Sequence, residues 1–367
     1  VKTLASLPSI LGRTAMVVIV VAAVTTALAF ALNGLGVSQT VVFVVSAVAL
    51  AALATLIGQG TDELGERFGP ATTGILQSAL GNLPELFISI FALQAGLVVV
   101  VQTALIGSIL ANTLLVLGLA FLIGGLRHGT QTFHAPSVRT LATLLLLAVA
   151  ALAIPTLATM PGEPDAGHAV DLSAIVSVVL LVVFAASIPF SLGGGRGASR
   201  ELRDPSDGPA WPLPLALGVL VAGAAGAALT SDLFVAALKP TMASVGLSEA
   251  FVGLVVVAIA GNAVENVVGV QAAAGDKTDL ATSLILNSSL QVAIALTPAL
   301  VLLSLVLGTG ALTLVLTPLL VGAVVLAALL AAVIVFDGES TWLEGLALLG
   351  LYVIIAASVW YGPPIQP

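Results

Sequence analysis

Gly81-Asn82-Leu83-Pro84-Glu85 and Gly261-Asn262-Ala263-Val264-Glu265 are two copies of one string, Gly-Asn-x-x-Glu, set 180 residues apart in a chain of 367. Their glutamates are the carboxylates that fall deep inside apolar stretches. An ionisable side chain at that depth is costly, and it persists where it binds, pairs with or relays ions. Asparagine and glutamate three residues apart share a helical face. Each string therefore presents an amide oxygen beside a carboxylate.

The surrounding sequence is that of an all-α, polytopic membrane protein. Hydrophobic residues make up 59% and charged residues 8%, and the mean hydropathy is +1.21, more than a water-soluble core can use. Apolar runs of about 17 to 25 residues match the hydrocarbon thickness at the helical rise, and strand-like alternation is absent. Zero cysteines exclude disulfide and thiolate-metal chemistry. Ten basic residues give no nucleic-acid reading.

About eleven spans are expected, near residues 15–32, 38–57, 73–95, 97–123, 138–158, 172–190, 213–229, 250–274, 280–307, 311–336 and 342–361. A glycine-, arginine- and proline-rich stretch at 193–212 reads as a solvated linker. The expected organisation is an N-terminal transmembrane helix (1–35), a first five-helix repeat (36–192), a cytoplasmic linker (193–212) and a second five-helix repeat (213–367). The first span follows Lys2 and Arg13, and its length favours a retained helix over a cleaved signal peptide. Nine of the ten basic residues then fall on one side of the membrane and only Lys239 opposite. The positive-inside rule makes that side cytoplasmic. The expected location is the inner (plasma) membrane of a bacterial-type cell with a cytoplasmic amino terminus. A homo-oligomer is compatible with these spans.

Glu85 lies in the third expected span and Glu265 in the eighth. An odd interval means opposite directions through the bilayer, so five plus five spans after one extra helix form an inverted repeat, with a site near the midplane between halves. Gly81 and Pro84 weaken the first helix and Gly261 the second, which frees carbonyl oxygens. Two carboxylates with amide and carbonyl oxygens suit a hard cation such as calcium. With the cation gone, the facing carboxylates take up protons as a coupled pair. Occupancy by cation or by protons, never both, is the thermodynamic basis of antiport. Polar residues recur 23 positions after each glutamate: Gly107-Ser108-Ile109-Leu110-Ala111-Asn112, and Asn287-Ser288-Ser289-Leu290-Gln291. Ser108, Asn112, Ser288, Ser289 and Gln291 are thus candidates for lining the ion pathway. Gly96, Gly118, Gly218, Gly223, Gly226 and Gly322 read as close-packing glycines. Asp62, Glu63, Asp276 and Asp279 read as solvated loop acids, and His128, His134 and His168 fall in or near loops.

Both Gly-Asn-x-x-Glu strings, residues 107–112, and Asp279-Leu280-Ala281 leading to Ser288-Ser289-Leu290-Gln291 resemble the two α-repeats of the calcium/cation antiporter superfamily, closest to its cation/proton exchanger branch. The resemblance covers residues 58–118 and 250–305. It implies calcium efflux driven by proton influx through alternating access, with Glu85 and Glu265 as ligands, Asn82 and Asn262 beside them, calcium as substrate and no cofactor. Asn266 stands where many of these exchangers have a histidine, Asn287 where glycine is usual and Gln77 where asparagine is usual. Pro84 is shared with the sodium-coupled branch, so sodium-driven exchange is the alternative. A cation channel fits packed repeats less well. No span carries the catalytic sets of an intramembrane enzyme.

Overall fold

The computed structural model describes residues 7–68, 80–163, 165–194, 211–308 and 310–361. Lys2, Gln77, Arg196, Arg200, Arg203 and most of the 193–212 stretch lie outside them. The described chain is almost entirely helical: α1 (Leu7–Gly34), α2 (Gln39–Phe68), α3 (Leu83–Gln94), α4 (Val98–His128), α5 (Ala135–Ala158), α6 (Ala169–Gly194) and α7 (Leu213–Val245), then α8 (Glu249–Gly261), α9 (Ala263–Ala274), α10 (Thr278–Leu307), α11 (Pro318–Ile334) and α12 (Trp342–Tyr361). Two short strands, β1 (Gln131–Thr132) and β2 (Glu339–Ser340), pair antiparallel.

Among the described residues, eight helices are long and apolar enough to cross a membrane, nine if the bent pair α8–α9 is counted as one span. The chain is a multi-pass integral membrane protein. Helices α3 and α11 stand where the third and tenth spans are expected, but they are 12 and 17 residues long, and residues 69–79 ahead of α3 are not described. Two helices outrun the expected spans. α2 continues through Thr61 to Phe68 and α7 through Lys239 to Val245, where their packing against each other, not local propensity, carries the helix past its glycines and Pro240.

The chain forms two compact units, Val1–Phe91 with Ala185–Val245, and Ala92–Phe184 with Gly246–Pro367. In the first, α2 and α7 run antiparallel along one seam. Phe43 stacks on Phe234 at 4.6 Å, and the Thr40 and Ser244 hydroxyls are 3.1 Å apart. The Trp211 amide donates to Glu63 at 2.8 Å. A Cβ on Gly223 would stand 3.1 Å from Ile57, and one on Gly226 2.9 Å from Leu53. These two are packing glycines, as expected. Gly218 and Gly322 face open space, and Gly96 is a turn residue with φ +74.

In the second unit, α4 crosses α8 at an unusually short distance. A Cβ on Gly107 would lie 2.3 Å from the Leu254 carbonyl oxygen, and one on Gly253 2.0 Å from Thr103 Oγ1. Without glycine on both helices the backbones would separate. Farther along α4, a Cβ on Gly118 would meet the Gly345 carbonyl oxygen of α12 at 2.9 Å.

Short π-helical turns interrupt α4 at Ala111–Val116, α8 at Val252–Val257 and α10 at Val292–Leu296. Those in α4 and α10 each follow directly on a polar string, Gly107–Leu110 and Asn287–Gln291. Such insertions shift the face a helix presents and often sit at functional sites.

The expected tenth span also starts late. Residues 310–316 are neither helical nor part of a strand, with Leu312, Leu314 and Leu316 buried. Side chains from four helices complete their backbone. Gln102 Nε2 donates to the carbonyls of Thr313 and Val315 at 2.8 and 3.2 Å. Thr156 donates to the Leu314 carbonyl and accepts from the Leu316 amide. Ser173 and Ser304 accept from the amides of Leu314 and Leu312. Non-helical backbone within a membrane protein needs partners of this kind. Helix α11 then begins at Pro318 behind Thr317, whose hydroxyl caps the Leu320 amide.

Candidate ion-binding site

The second Gly-Asn-x-x-Glu string sits at a break between helices. α8 ends at Gly261, α9 begins at Ala263, and the axes bend by 63° at Asn262, whose backbone (φ −99, ψ 25) is not helical. A helix end leaves carbonyl oxygens without intrahelical partners. Two asparagine side chains bond to carbonyls near this end, that of Ala258 also accepting the Asn262 backbone amide at 3.2 Å. Asn262 Nδ2 donates to the Ala258 carbonyl at 2.8 Å and Asn266 Nδ2 to the Ile259 carbonyl at 3.3 Å. Two side-chain amides thus support the end of α8 at the bend.

Asn262 also reaches across to α4 and, through it, to α10. Its Nδ2 donates to Ser108 Oγ at 2.9 Å, and its Oδ1 accepts from Asn112 Nδ2 at 3.2 Å. Asn112 Nδ2 donates in turn to Ser288 Oγ at 3.0 Å. All four residues are buried. The network joins both polar strings found in the sequence to the second motif. In an apolar medium an unmade hydrogen bond costs several kcal/mol, so these contacts fix the register of three helices.

Glu265 is half-buried in the first turn of α9. The unpaired amides of a helix start favour a negative charge there. Of the remaining candidates in this unit, Ser289 turns its hydroxyl onto its own helix, donating to the Ile285 carbonyl at 3.0 Å, and Gln291 is buried.

The first string repeats this backbone. Asn82 precedes α3 as Asn262 precedes α9, and both helices are 12 residues long with the glutamate in the first turn. The Asn82 carbonyl accepts from the Leu86 amide at 2.9 Å, and the Asn262 carbonyl from the Asn266 amide at 3.0 Å. Asn82 and Glu85 are both buried. Gly81 lies in the turn, and Pro84 is the second residue of α3. At that position the missing N–H would have had no intrahelical partner, so proline sets the start of the helix at no cost in hydrogen bonds.

The loop acids are more engaged than solvated caps. Asp276 Oδ1 accepts from Gln131 and Asp279 Oδ1 from the His134 amide. His128 Nε2 lies 3.1 Å from the Ala274 carbonyl oxygen, and His168 pairs with Asp171. Among the described residues, no three His, Cys, Asp or Glu side chains gather as a metal cluster. A cation here would draw on amide, hydroxyl and carbonyl oxygens besides carboxylate, the ligand set of a hard ion. The sequence reading passed over Gln102, Thr156, Ser173, Ser304 and Gln131. The signal for the first four was a polar residue inside an apolar run.

A helical membrane protein with one buried and one half-buried carboxylate at two helix starts, the second behind a bent, amide-capped helix pair, has the architecture of an ion exchanger. A profile described as sodium/calcium exchanger protein matches residues 38–193 and 215–361, and the chain belongs to this family. That makes it a transporter, not an enzyme. It is 35% identical to a Ca(2+)/H(+) antiporter of Synechocystis sp., over 92% of this chain and 95% of the relative. It is also 35% identical to the Ca(2+)/H(+) antiporter ChaA of Bacillus subtilis, over 87% and 91%. The solved structure of native YfkE superposes with a TM-score of 0.80 at 32% identity, covering 94% of this chain and 99% of that one. The H+/Ca2+ exchanger CAX, at 15% identity and a TM-score of 0.74 over 94% and 91%, shares the fold.

Proposed function

We propose that the protein is a secondary antiporter that exports calcium from the cytoplasm in exchange for protons, by alternating access at a midplane site to which the two repeats contribute Glu85 and Glu265. The observation that carries this reading is the repeated placement of a glutamate in the first turn of a short helix behind a Gly-Asn break, once per half of the chain. The matched calcium/proton antiporters support the choice of ions.

In this mechanism calcium is the substrate. Two carboxylates neutralise its charge, while Asn82 and Asn262 contribute amide oxygens and the helix breaks contribute carbonyls. When calcium leaves, two carboxylates sharing one site within the membrane do not both stay charged, and protons replace the ion. Each side of the exchange thus leaves the site near neutral, which permits the empty-handed return of neither ion. Ser108, Asn112 and Ser288 hold the second motif in register. The amino terminus lies in the cytoplasm in this orientation, following the distribution of basic residues.

The test is transport by purified protein in liposomes. Calcium uptake driven by an imposed pH gradient, with no sodium present, is the expected result. Uptake that follows a sodium gradient and ignores pH would overturn the choice of protons.

A further inference from the structure

The turns that end α3 and α9 are the same turn built from different residues. Gly96 donates to the Leu93 carbonyl at 3.0 Å and Leu97 to the Ala92 carbonyl at 2.8 Å; 180 residues later Asp276 donates to the Ala273 carbonyl at 3.1 Å and Lys277 to the Ala272 carbonyl at 2.8 Å. Gly96 has φ +74 and Asp276 φ +62. Glycine adopts that conformation freely. Asp276 is the one non-glycine residue with positive φ among those described, and a Cβ is disfavoured there, with aspartate among the more tolerant.

The carboxylate at this strained position has a partner that a glycine would lack. Asp276 Oδ1 accepts from Gln131 Nε2 at 3.0 Å, and the same Nε2 donates to the Ala273 carbonyl at 3.2 Å. Gln131 is 2% exposed. Its backbone is fixed by pairing with Ser340 and by the neighbouring bond from the Phe133 amide to the Gly338 carbonyl. Its side chain fits because residue 124 is glycine, where a Cβ would stand 1.9 Å from Gln131 Oε1. His128 and His134 grip the same turn on either side, through Ala274 and Asp279.

We infer that Gln131 and Asp276 form a positioning clamp for Glu265. Helix α9 packs along α4 and α10, with Gly269 against Ile285 and Val116, and side-chain hydrogen bonds tie it to the α4 segment at both ends. Its start is tied through Asn262 to Ser108 and Asn112, and its end through Asp276 to Gln131, three residues beyond α4. Apolar packing alone lets a helix slide or turn slightly about its axis, whereas directional bonds at both ends fix the direction in which its first turn presents Glu265. In α3 the matching turn has a glycine, with no side chain to be held. The clamp acts on Glu265 as an ion ligand and so rests on the exchange reading above.

Gln131→Leu and Asp276→Gly should each weaken the apparent calcium affinity by about tenfold, the lower end of what losing a hydrogen bond to a charged group costs when the bond is part-buried, while the maximal exchange rate stays within about twofold. The double variant should be no worse than either single one. Asp276→Asn keeps an acceptor and tolerates the backbone, and should stay near wild type. Unchanged affinity with only a lower melting temperature, or additive losses in the double variant, would overturn the clamp. Should these variants fail to fold, hydrogen exchange on the wild-type protein decides: slower exchange of the 276–278 amides than of the 96–98 amides is expected, and equal or faster exchange refutes it. Wild-type protein that fails to exchange calcium sinks the functional reading, and the hydrogen-exchange comparison then decides the clamp by itself.

Discussion

The two Gly-Asn-x-x-Glu regions carry one backbone design supported by different chemistry. In both, an asparagine carbonyl accepts from the amide four residues on, a 12-residue helix follows, and a left-handed residue ends it. The first copy sets its helix start with Pro84 and ends it with Gly96. The second has neither. It bonds carbonyls near the end of α8 with the side chains of Asn262 and Asn266, and it ends α9 with a strained Asp276 held by Gln131. The geometry of a carboxylate at a helix start is thus the common requirement, and each half meets it with the residues it has.

That comparison is broken most severely at the glutamates. Glu85→Gln and Glu265→Gln should each reduce calcium exchange by more than about a hundredfold, the scale of losing one charge from a buried pair, with folding intact by circular dichroism. Normal transport by either variant would show that the copies are not equivalent and that its glutamate is no ligand. Next in size is the crossing that seats the second motif against α4. Gly107→Ala should destabilise the protein by about 1–3 kcal/mol through overpacking, whereas Gly218→Ala, facing open space, should be within about 0.5 kcal/mol of wild type. Thermal unfolding in detergent measures both.

Asn262→Ala should cost about 1–3 kcal/mol, since it removes the side-chain bonds to Ser108, Asn112 and the Ala258 carbonyl from a buried network, and it should lower exchange as well. A melting temperature equal to wild type would mean that the bend does not depend on its caps. Pro84→Ala in the first copy should be smaller, under about 1 kcal/mol, because a proline in the first turn acts mainly by restricting the unfolded chain. If Pro84→Ala proved more damaging than Asn262→Ala, the first break would depend on its proline more than the second on its amides. The smallest expected change is in Asp62→Asn, an exposed residue, which should alter apparent calcium affinity by no more than about twofold.

Much of the architecture was legible in the chain because membrane burial is written residue by residue. A run of apolar side chains long enough to cross lipid declares itself without reference to any partner, and so does a glutamate that interrupts it. The repeat spacing of 180 residues held for the motif helices, their turns and the helices that follow, at Val98 and Thr278. The non-helical segment at 310–316 was not legible. Its sequence, Gly310-Ala311-Leu312-Thr313-Leu314-Val315-Leu316, is apolar enough for a helix, and only Gln102, Thr156, Ser173 and Ser304 on other elements make a non-helical backbone affordable there.

By itself the sequence determined the membrane class, the helical content and the residue types able to hold a hard cation, because hydropathy and charge act locally. Which polar residues meet was decided by tertiary structure. Asn262 finds Ser108 and Asn112 some 150 positions away because two glycines let α4 and α8 touch, and Gln131 finds Asp276 because a third leaves room. Hydrogen bonds are short and directional, so their partners are fixed by how the helices cross, a property that no single helix contains.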